Sequence, residues 1–138
     1  GVVIYRINVE PEETLGHYSD WLKSGGTASI RQLNDFSKNH QLRLGEVLLL
    51  PVDSDGQRST FDRQRRDYHR VLVDEFKQHY DIIEVLNYVT KKGDSLWKLA
   101  RTQGIPTWLI MRYNPLLRSA APVVSQVLKM PRIQRRGS

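Results

Sequence analysis

The chain has 138 residues, a formal net charge of +6 and an apolar content of 39%, which suits one ordinary domain or two very small ones with packed cores. It contains no cysteine, so disulfides and thiolate metal sites are excluded. The longest apolar run, Val47 to Val52, is far shorter than the ~20 residues that cross a bilayer, and we expect no membrane span.

The N-terminal part, residues 4–52, predicts the order strand, helix, helix and strand. We call it the N-terminal module. Val2, Val3 and Ile4 suit the start of a strand. Apolar residues at helical spacing then predict two helices, and a β-forming run predicts the last strand. These residues are Leu15, Tyr18, Trp21 and Leu22, then Ile30 and Leu33, then Val47, Leu48 and Leu50.

Residues 53–81 predict a linker that contains one long amphipathic helix. The run from Asp53 to Gly56 is typical of a turn, and Thr60 is the expected N-cap. The apolar stripe consists of Phe61, Tyr68, Leu72, Phe76 and Tyr80. A lone helix leaves such a stripe in water, so we expect it to pack on one or both modules and to hold them rigidly.

Residues 82–133, the C-terminal module, predict the same four elements. The strand of Tyr88, Val89 and Thr90 leads to a turn at Gly93, and Asp94 or Ser95 is expected to cap the first helix. That helix buries Leu96, Leu99 and Ala100, and the second, capped by Thr107, buries Leu109, Ile110 and Tyr113. Asn114-Pro115 ends the second helix, and the last strand uses Val123, Val124, Val127 and Leu128 before Pro131 terminates it.

The two modules align with each other. A shift of 81 residues places Ile7–Leu15 on Tyr88–Leu96, and after the first helix a shift of 80 pairs Asn34 with Asn114, Gly45 with Ser125 and Pro51 with Pro131. The additional residue falls in the loop between the helices, where an insertion is least costly. Residues 2–4 and 81–86 lengthen the two first strands, and one arrangement pairs these extensions with each other.

The C-terminal module resembles the LysM family in several motifs at family spacing. The residues that carry the resemblance are Tyr88-Val89, Gly93-Asp94-Ser95-Leu96, Trp97, Leu99-Ala100, Asn114-Pro115 and Pro131. The resemblance implies an α+β fold of two βααβ modules joined by a long helix, as in paired modules of bacterial envelope proteins. Ser125 stands where LysM modules carry a glycine, and Glu12 replaces the glycine of the first turn in the diverged N-terminal module, where positive φ brings strain.

The resemblance implies non-catalytic binding of an N-acetylglucosamine polymer, with peptidoglycan preferred over chitin. The implied groove lies between the first turn and the loop after the second helix: Gly93, Asp94, Ser95, Leu96, Trp97, Asn114, Pro115, Leu116 and Leu117. Leu96, Pro115 and Leu116 are expected to offer apolar contact to sugar methyl groups. It also implies a bacterial periplasmic or cell-wall location. A protein-interaction scaffold in the envelope that has lost the sugar is the alternative.

Residues for catalysis or metal binding do not form a recognisable constellation, and we expect no enzyme activity, cofactor or metal. The four histidines are isolated in the sequence: His17, His40, His69 and His79. His69 and His79 are interpreted as surface or interdomain residues. Glu12 and Glu13 are interpreted as charges that favour a helix N-terminus, because adjacent carboxylates seldom flank one glycosidic bond.

The positive charge belongs to one end of the chain. Residues 88–138 hold ten basic groups and one acidic group, whereas the residues before them are net acidic. The basic side chains of this region include Lys91, Lys92, Lys98, Arg101, Arg112 and Arg118. They suit an anionic polymer, nucleic acid or simple solvation. No nucleic-acid motif accompanies them, so no nucleic-acid partner is expected. Trp97 is the first candidate to stack on a sugar ring and Trp108 the second.

Overall fold

A computed structural model describes residues 2–117 and 121–137 and shows the expected α+β fold. The elements in chain order are β1 (Val3–Asn8), α1 (Leu15–Leu22), α2 (Ala28–Leu33), β2 (Val47–Val52), α3 (Asp55–His79), β3 (Tyr80–Val89), α4 (Leu96–Gln103), α5 (Thr107–Tyr113) and β4 (Val127–Arg135). Among the described residues, no helix combines the length and apolar character needed to cross a membrane. The chain divides into a first unit, Gly1–Val73, and a second unit, Asp74–Ser138.

The first unit packs its two helices on an antiparallel pair of β1 and β2, with Val3 opposite Val52 and Asn8 opposite Val47. Its core contains the predicted stripe of α1 and alternate residues of β2, together with Phe61 from α3, which is fully buried. Complete burial of an aromatic ring of this size stabilises a small domain by about 2–3 kcal/mol relative to exposure. The N-terminal part of α3 is therefore built into the first unit.

Helix α4 begins at a predicted cap, Ser95, and helix α1 begins after Thr14, for which no cap was predicted. Thr14 Oγ1 accepts a hydrogen bond from His17 N at 3.2 Å, and Ser95 Oγ accepts one from Lys98 N at 3.2 Å. Each hydroxyl satisfies one of the N–H groups that a helix start leaves without a partner. The N-cap of α5 is Pro106 rather than Thr107, so the predicted position of that cap was one residue late.

An asparagine holds the second helix of each unit to the last strand. The Asn34 side-chain amide donates to Leu49 O at 2.7 Å and accepts from Leu49 N at 2.8 Å. Asn114 makes the same pair of bonds to Lys129 O and Lys129 N, at 2.7 and 2.8 Å. The repeated asparagine is thus a structural cross-link between helix and strand.

Helix α3 starts earlier and ends earlier than predicted. Ser54 Oγ accepts from Gln57 N at 3.0 Å and Gln57 Oε1 accepts from Asp53 N at 2.7 Å, so residues predicted as a turn cap the helix instead, and Thr60 lies inside it. Tyr80 belongs to β3 and leaves the predicted helical stripe. Leu72 is only half-buried, whereas the unpredicted Val73 is buried.

The second unit pairs β3 with β4 antiparallel, from Val89 opposite Val127 to Tyr80 opposite Arg135, with an irregularity at Ile82–Glu84. Strand β4 continues through Pro131, so the prediction that this proline ends the strand was wrong. In a two-stranded sheet, alternate residues direct their N–H groups away from the partner strand, and a proline fits such a position.

Strand pairing also corrects two other expectations. The extension of β3 pairs with the continuation of β4, and β1 pairs with β2. The arrangement that joins the two strand extensions to each other was therefore wrong. Val123 and Val124 precede β4 and are exposed, because a turn at residues 124–125 comes before the strand.

Candidate functional site

The turn of residues 91–94, between β3 and α4, is closed by its own backbone and by one carboxylate. Asp94 N donates to Lys91 O at 3.1 Å, while Asp94 Oδ2 accepts from Lys91 N at 2.7 Å and from the Tyr88 hydroxyl at 2.8 Å. The hydrogen bond from the Lys91 backbone N–H is the main cause that holds the pKa of Asp94 below its usual value, and the bond from the Tyr88 hydroxyl adds to it. Gly93 adopts φ +88° with open space around it, so backbone conformation rather than crowding calls for glycine.

The predicted site residues differ in what they expose. Gly93, Pro115 and Leu116 are exposed, with Leu116 at 80% and Trp97 at 60% of their full accessible surface. Asp94 and Ser95 are half-buried. Gly93, Asp94 and Ser95 precede α4, and Trp97 lies in its first turn. Pro115 and Leu116 lie in the loop that follows α5.

Two predicted site residues point into the core. The side chain of Leu96 is fully buried and that of Leu117 is nearly so. The expectation that the Leu96 side chain contacts sugar methyl groups was therefore wrong, since this residue is the first of the buried stripe of α4. Its backbone N–H remains one of the helix-start donors without an intrahelical partner.

Asn114 has little hydrogen-bonding capacity left for a ligand. Besides its bonds to Lys129, its amide donates to Ile110 O at 2.7 Å, its own N–H donates to Met111 O at 3.0 Å and its carbonyl accepts from Leu117 N at 3.0 Å. Asn114 thus positions the loop after α5.

The turn before the last strand keeps its geometry despite the replacement of glycine. Ser125 adopts φ +66°, close to the φ +82° of Gly45 in the first unit. Thr90 exchanges backbone bonds across this turn, accepting from Ser125 N and donating to Gln126 O, both at 2.9 Å. A residue with a Cβ at positive φ costs about 1–2 kcal/mol. The replacement of glycine by Ser125 therefore introduces strain at one residue, but the turn keeps its shape.

The equivalent turn of the first unit, residues 10–13, is closed by the same pattern of backbone and carboxylate hydrogen bonds. Glu13 N donates to Glu10 O at 3.2 Å, and Glu13 Oε1 accepts from Glu10 N at 2.9 Å and from the Tyr18 hydroxyl at 2.7 Å. Glu12 takes φ +69° in the place of Gly93, which confirms the predicted positive φ at a residue with a side chain. The two turns therefore share one backbone shape.

Side chains of α3 engage the turn of the first unit. Tyr68 donates from its hydroxyl to Glu12 O at 2.6 Å, and Arg65 Nη2 donates to Asn8 O at 2.7 Å. Arg65 Nε lies 2.6 Å and His69 Nε2 lies 2.7 Å from Glu13 Oε2. The backbone carbonyl that corresponds to that of Gly93 is thus already bonded within the unit.

Glu13 is the centre of a buried ionic cluster. Its side chain has no exposed surface; burial alone would raise its pKa, but hydrogen bonds from His69, Arg65 and Tyr18 and the positive charge of Arg65 lower the pKa from 4.5 to about 2. Burial and the Glu13 charge raise the pKa of Tyr18.

One interpretation of the sequence changes with this cluster. Glu13 is bonded in the interior of the first unit and precedes the N-cap, so it does not act as a first-turn charge of α1. His69 contacts Glu13 and so joins the predicted linker to the predicted N-terminal module, which agrees with the interdomain interpretation. Their separation of 56 residues hid the contact from any spacing motif.

The same cluster gathers ligand atoms within reach of a cation. Atoms of Glu10, Glu13 and His69 all lie within 4.8 Å of one another. The guanidinium of Arg65 already lies 2.9 Å from Glu10 Oε2 and 2.6 Å from Glu13 Oε2, and supplies the positive charge that the carboxylates need. The arrangement is that of an ion-pair network.

The two candidate tryptophans of the second unit differ in environment. Trp108 is half-buried and meets Phe76 edge-on with ring centroids 5.4 Å apart, which is packing of an ordinary kind. Trp97 is exposed and lies under the guanidinium of Arg101, at 4.4 Å from the ring centroid. Of the basic side chains predicted around the turn, Arg118 lies outside the described residues.

Comparison with known proteins identifies part of the chain. Residues 88–131 match the family model of the LysM domain, which covers less than half of the chain. No curated protein matches it. Among the solved structures that resemble it are the spore cortex-lytic enzymes SleL of Bacillus cereus and Bacillus megaterium QM B1551, at 18% and 15% identity and TM-scores of 0.32 and 0.33. The likeness covers 94% and 96% of this chain, but the chain spans only 23% of the length of either enzyme.

Proposed function

Because residues 88–131 form a LysM domain, we propose that this chain binds peptidoglycan at the exposed turn of the second unit and does so without catalysis. LysM domains bind N-acetylglucosamine-containing glycans such as peptidoglycan. One observation carries the proposal: residues 88–131 match the LysM family model, and the first turn of this segment, residues 91–94, is open to solvent. We assign no catalytic residue.

The chemistry of the turn suits an N-acetylated sugar. Ser95 caps only the N–H of Lys98, so the N–H groups of Leu96 and Trp97 have no intrahelical partner. Such donors can meet the carbonyl oxygens of N-acetyl groups. The exposed side chains of Pro115 and Leu116 offer apolar surface for the acetyl methyl groups. Individual contacts of this kind are weak, and a polymer with many sites adds avidity.

The first unit is proposed to be a diverged module of the same family. It repeats the βααβ order and both turn geometries, but α3 supplies hydrogen bonds to its first turn. These hydrogen bonds favour a structural or protein-binding role for the first unit. The scaffold alternative then applies to the first unit only. Sugar binding is accordingly assigned to the second unit alone.

The cellular location follows from the ligand. The match to the LysM domain supports association with the cell wall, and we propose the periplasmic or wall-associated envelope of a bacterium. An envelope protein partner remains a proposal attached to the first unit. Nucleic acid is not proposed as a ligand.

The test is a pull-down on insoluble peptidoglycan with the variant Gly93→Glu, which copies the side chain of the first unit onto the open turn. We expect retention of this variant to fall severalfold. Gly25→Glu is the matched control, since Gly25 also has positive φ (+74°) and open space but lies in the helix–helix loop of the first unit. Equal retention of wild type and Gly93→Glu would contradict the assignment of this turn.

Salt dependence separates the glycan from nucleic acid. A neutral N-acetylglucosamine oligomer releases few counterions, so its affinity should change little between about 50 and 500 mM salt, whereas duplex DNA releases about 0.9 counterion per neutralised phosphate. If the oligomer fails to bind at either salt while DNA binds with a steep slope, the basic region serves nucleic acid and the glycan proposal is wrong.

A further inference from the structure

The outward face of α4 carries an exposed tryptophan next to two basic side chains. The buried stripe of this helix faces the core, so Trp97, Lys98 and Arg101 lie on the opposite side by helical geometry. Trp97 exposes 60% of its surface. An aromatic ring this exposed contributes little to the core, and its position one residue after Leu96 places it directly beside the proposed glycan turn.

The guanidinium of Arg101 lies over the ring of Trp97. The two residues are four positions apart on α4, and the guanidinium carbon lies 4.4 Å from the indole centroid. A guanidinium stacked on a ring keeps its in-plane N–H groups free for other acceptors. Those groups match the two oxygens of a carboxylate, which they can bind as a fork.

Lys98 brings a second cation to the turn, because its Nζ donates to Gly93 O at 3.4 Å. Among the described residues, no carboxylate lies within ion-pair distance of Lys91, Lys92, Lys98 or Arg101. Asp94 is the sole acid of residues 88–138. Its Oδ2 accepts hydrogen bonds within the turn, and these bonds together with the charges of Lys91 and Lys98 lower its pKa. One carboxylate thus faces several cations, and the face keeps a net positive charge.

The first unit shows that this charge is not a requirement of the scaffold. With the two turns aligned, Trp97 corresponds to Gly16, Lys98 to His17 and Arg101 to Asp20. The helices at these positions nevertheless share caps and buried stripes. In the first unit His17 stacks on Trp21 with ring centroids 5.5 Å apart, and none of the three positions carries a lysine or an arginine. The basic face of the second unit therefore needs a reason other than folding.

We propose that Trp97, Lys98 and Arg101 form an anion-binding subsite beside the turn, which takes carboxylates of the peptides that substitute the peptidoglycan glycan. The proposal rests on the proposed function and adds to it a substrate preference: the turn binds the sugar, and this subsite selects an acidic polymer over neutral chitin. Trp97 acts as the platform that holds Arg101 in place.

The test compares three probes on the full chain: a neutral N-acetylglucosamine hexamer, a soluble peptidoglycan fragment with its peptides, and the same fragment with its carboxylates amidated. The intact fragment should bind more tightly than the amidated one. Lys98→Gln and Arg101→Gln should each reduce that preference about two- to fivefold, the effect of one exposed ion pair. Arg101→Gln should leave hexamer binding unchanged. Trp97→Ala should resemble Arg101→Gln toward the carboxylates.

Lys129→Gln is the control for net charge, because Lys129 is exposed on β4 between buried residues and its side chain lies on the outer face of the sheet. The subsite is overturned if the hexamer binds but the intact fragment binds no more tightly than the amidated one. It is also overturned if Lys129→Gln lowers the preference as much as Arg101→Gln. Failure of all three probes to bind would instead overturn the proposed function, and the subsite with it.

Discussion

Protonation of Glu13 should destabilise the first unit in acid. Its pKa is lowered from 4.5 to about 2 in the folded unit, so its carboxylate stabilises the fold above pH 4.5 and that contribution disappears as the pH falls through 2. This lowering of the Glu13 pKa corresponds to about 3 kcal/mol of unfolding free energy. Small domains are stable by only 5–15 kcal/mol, so the loss is a large share of the total.

The variant Glu13→Gln isolates this contribution from those of the other carboxylates. It leaves the half-buried Arg65 with the exposed Glu10 as its remaining carboxylate partner, which should cost about 3 kcal/mol near neutral pH. The difference in unfolding free energy between wild type and variant should then shrink by about 3 kcal/mol as the pH falls from 6 toward 2. Glu10→Gln is the control, because the Glu10 carboxylate is 49% exposed and such a pair contributes about 1 kcal/mol or less.

Urea unfolding followed by the indole N–H signal of Trp21 measures this prediction. Trp21 is buried in the first unit, and its signal therefore reports on that unit separately from the other two tryptophans. An unchanged difference between wild type and Glu13→Gln at pH 6 and at pH 2.5 would refute the reasoning. So would a cost for Glu10→Gln equal to that for Glu13→Gln.

Five further variants test the turns, the helix–strand cross-link and the burial of side chains on α3. Glu12→Gly should stabilise the first unit by about 1 kcal/mol because it relieves positive φ at a residue with a Cβ, while Gly93→Ala should destabilise the second unit by a similar amount; denaturant midpoints of each unit check both signs. Asn114→Ala should cost the second unit about 1–3 kcal/mol, since Lys129 loses its partners, and unchanged protection of the Lys129 amide in hydrogen exchange would contradict this. Phe61→Ala should cost about 3–5 kcal/mol as a buried aromatic, and half-buried Leu72→Ala less than 2 kcal/mol; equal thermal shifts for the two variants would contradict the observed burial.

The local features of this fold could be predicted from short-range pattern. The threonine and serine before α1 and α4 are strong N-cap residues, and the apolar spacing of both helices indicates the buried face directly. The start of α3 was also present in the sequence, because Ser54 and Gln57 have the spacing of a capping box. The turn-like composition of Asp53–Gly56 hid that signal, since the same residues favour both structures.

The long-range features could not be predicted, because no local pattern encodes them. Glu13 and Arg65 are 52 residues apart, and only the docking of α3 brings them together. Asn114 was predicted as a helix end, which it is, and Asn34 was aligned with it, but the bonds of both residues to the last strands depend on tertiary structure. The continuation of β4 through Pro131 likewise depends on which N–H groups the pairing with β3 requires.

Amide chemical shifts during titration with a neutral N-acetylglucosamine hexamer test the central claim most directly. Shifts should concentrate at residues 93–97, 116 and 117 of the second unit, and the amides of residues 10 and 12–15 of the first unit should remain unperturbed. Comparable shifts at residues 10–15 would contradict the inequality of the two units. A spectrum that does not change at saturating hexamer would contradict glycan binding itself.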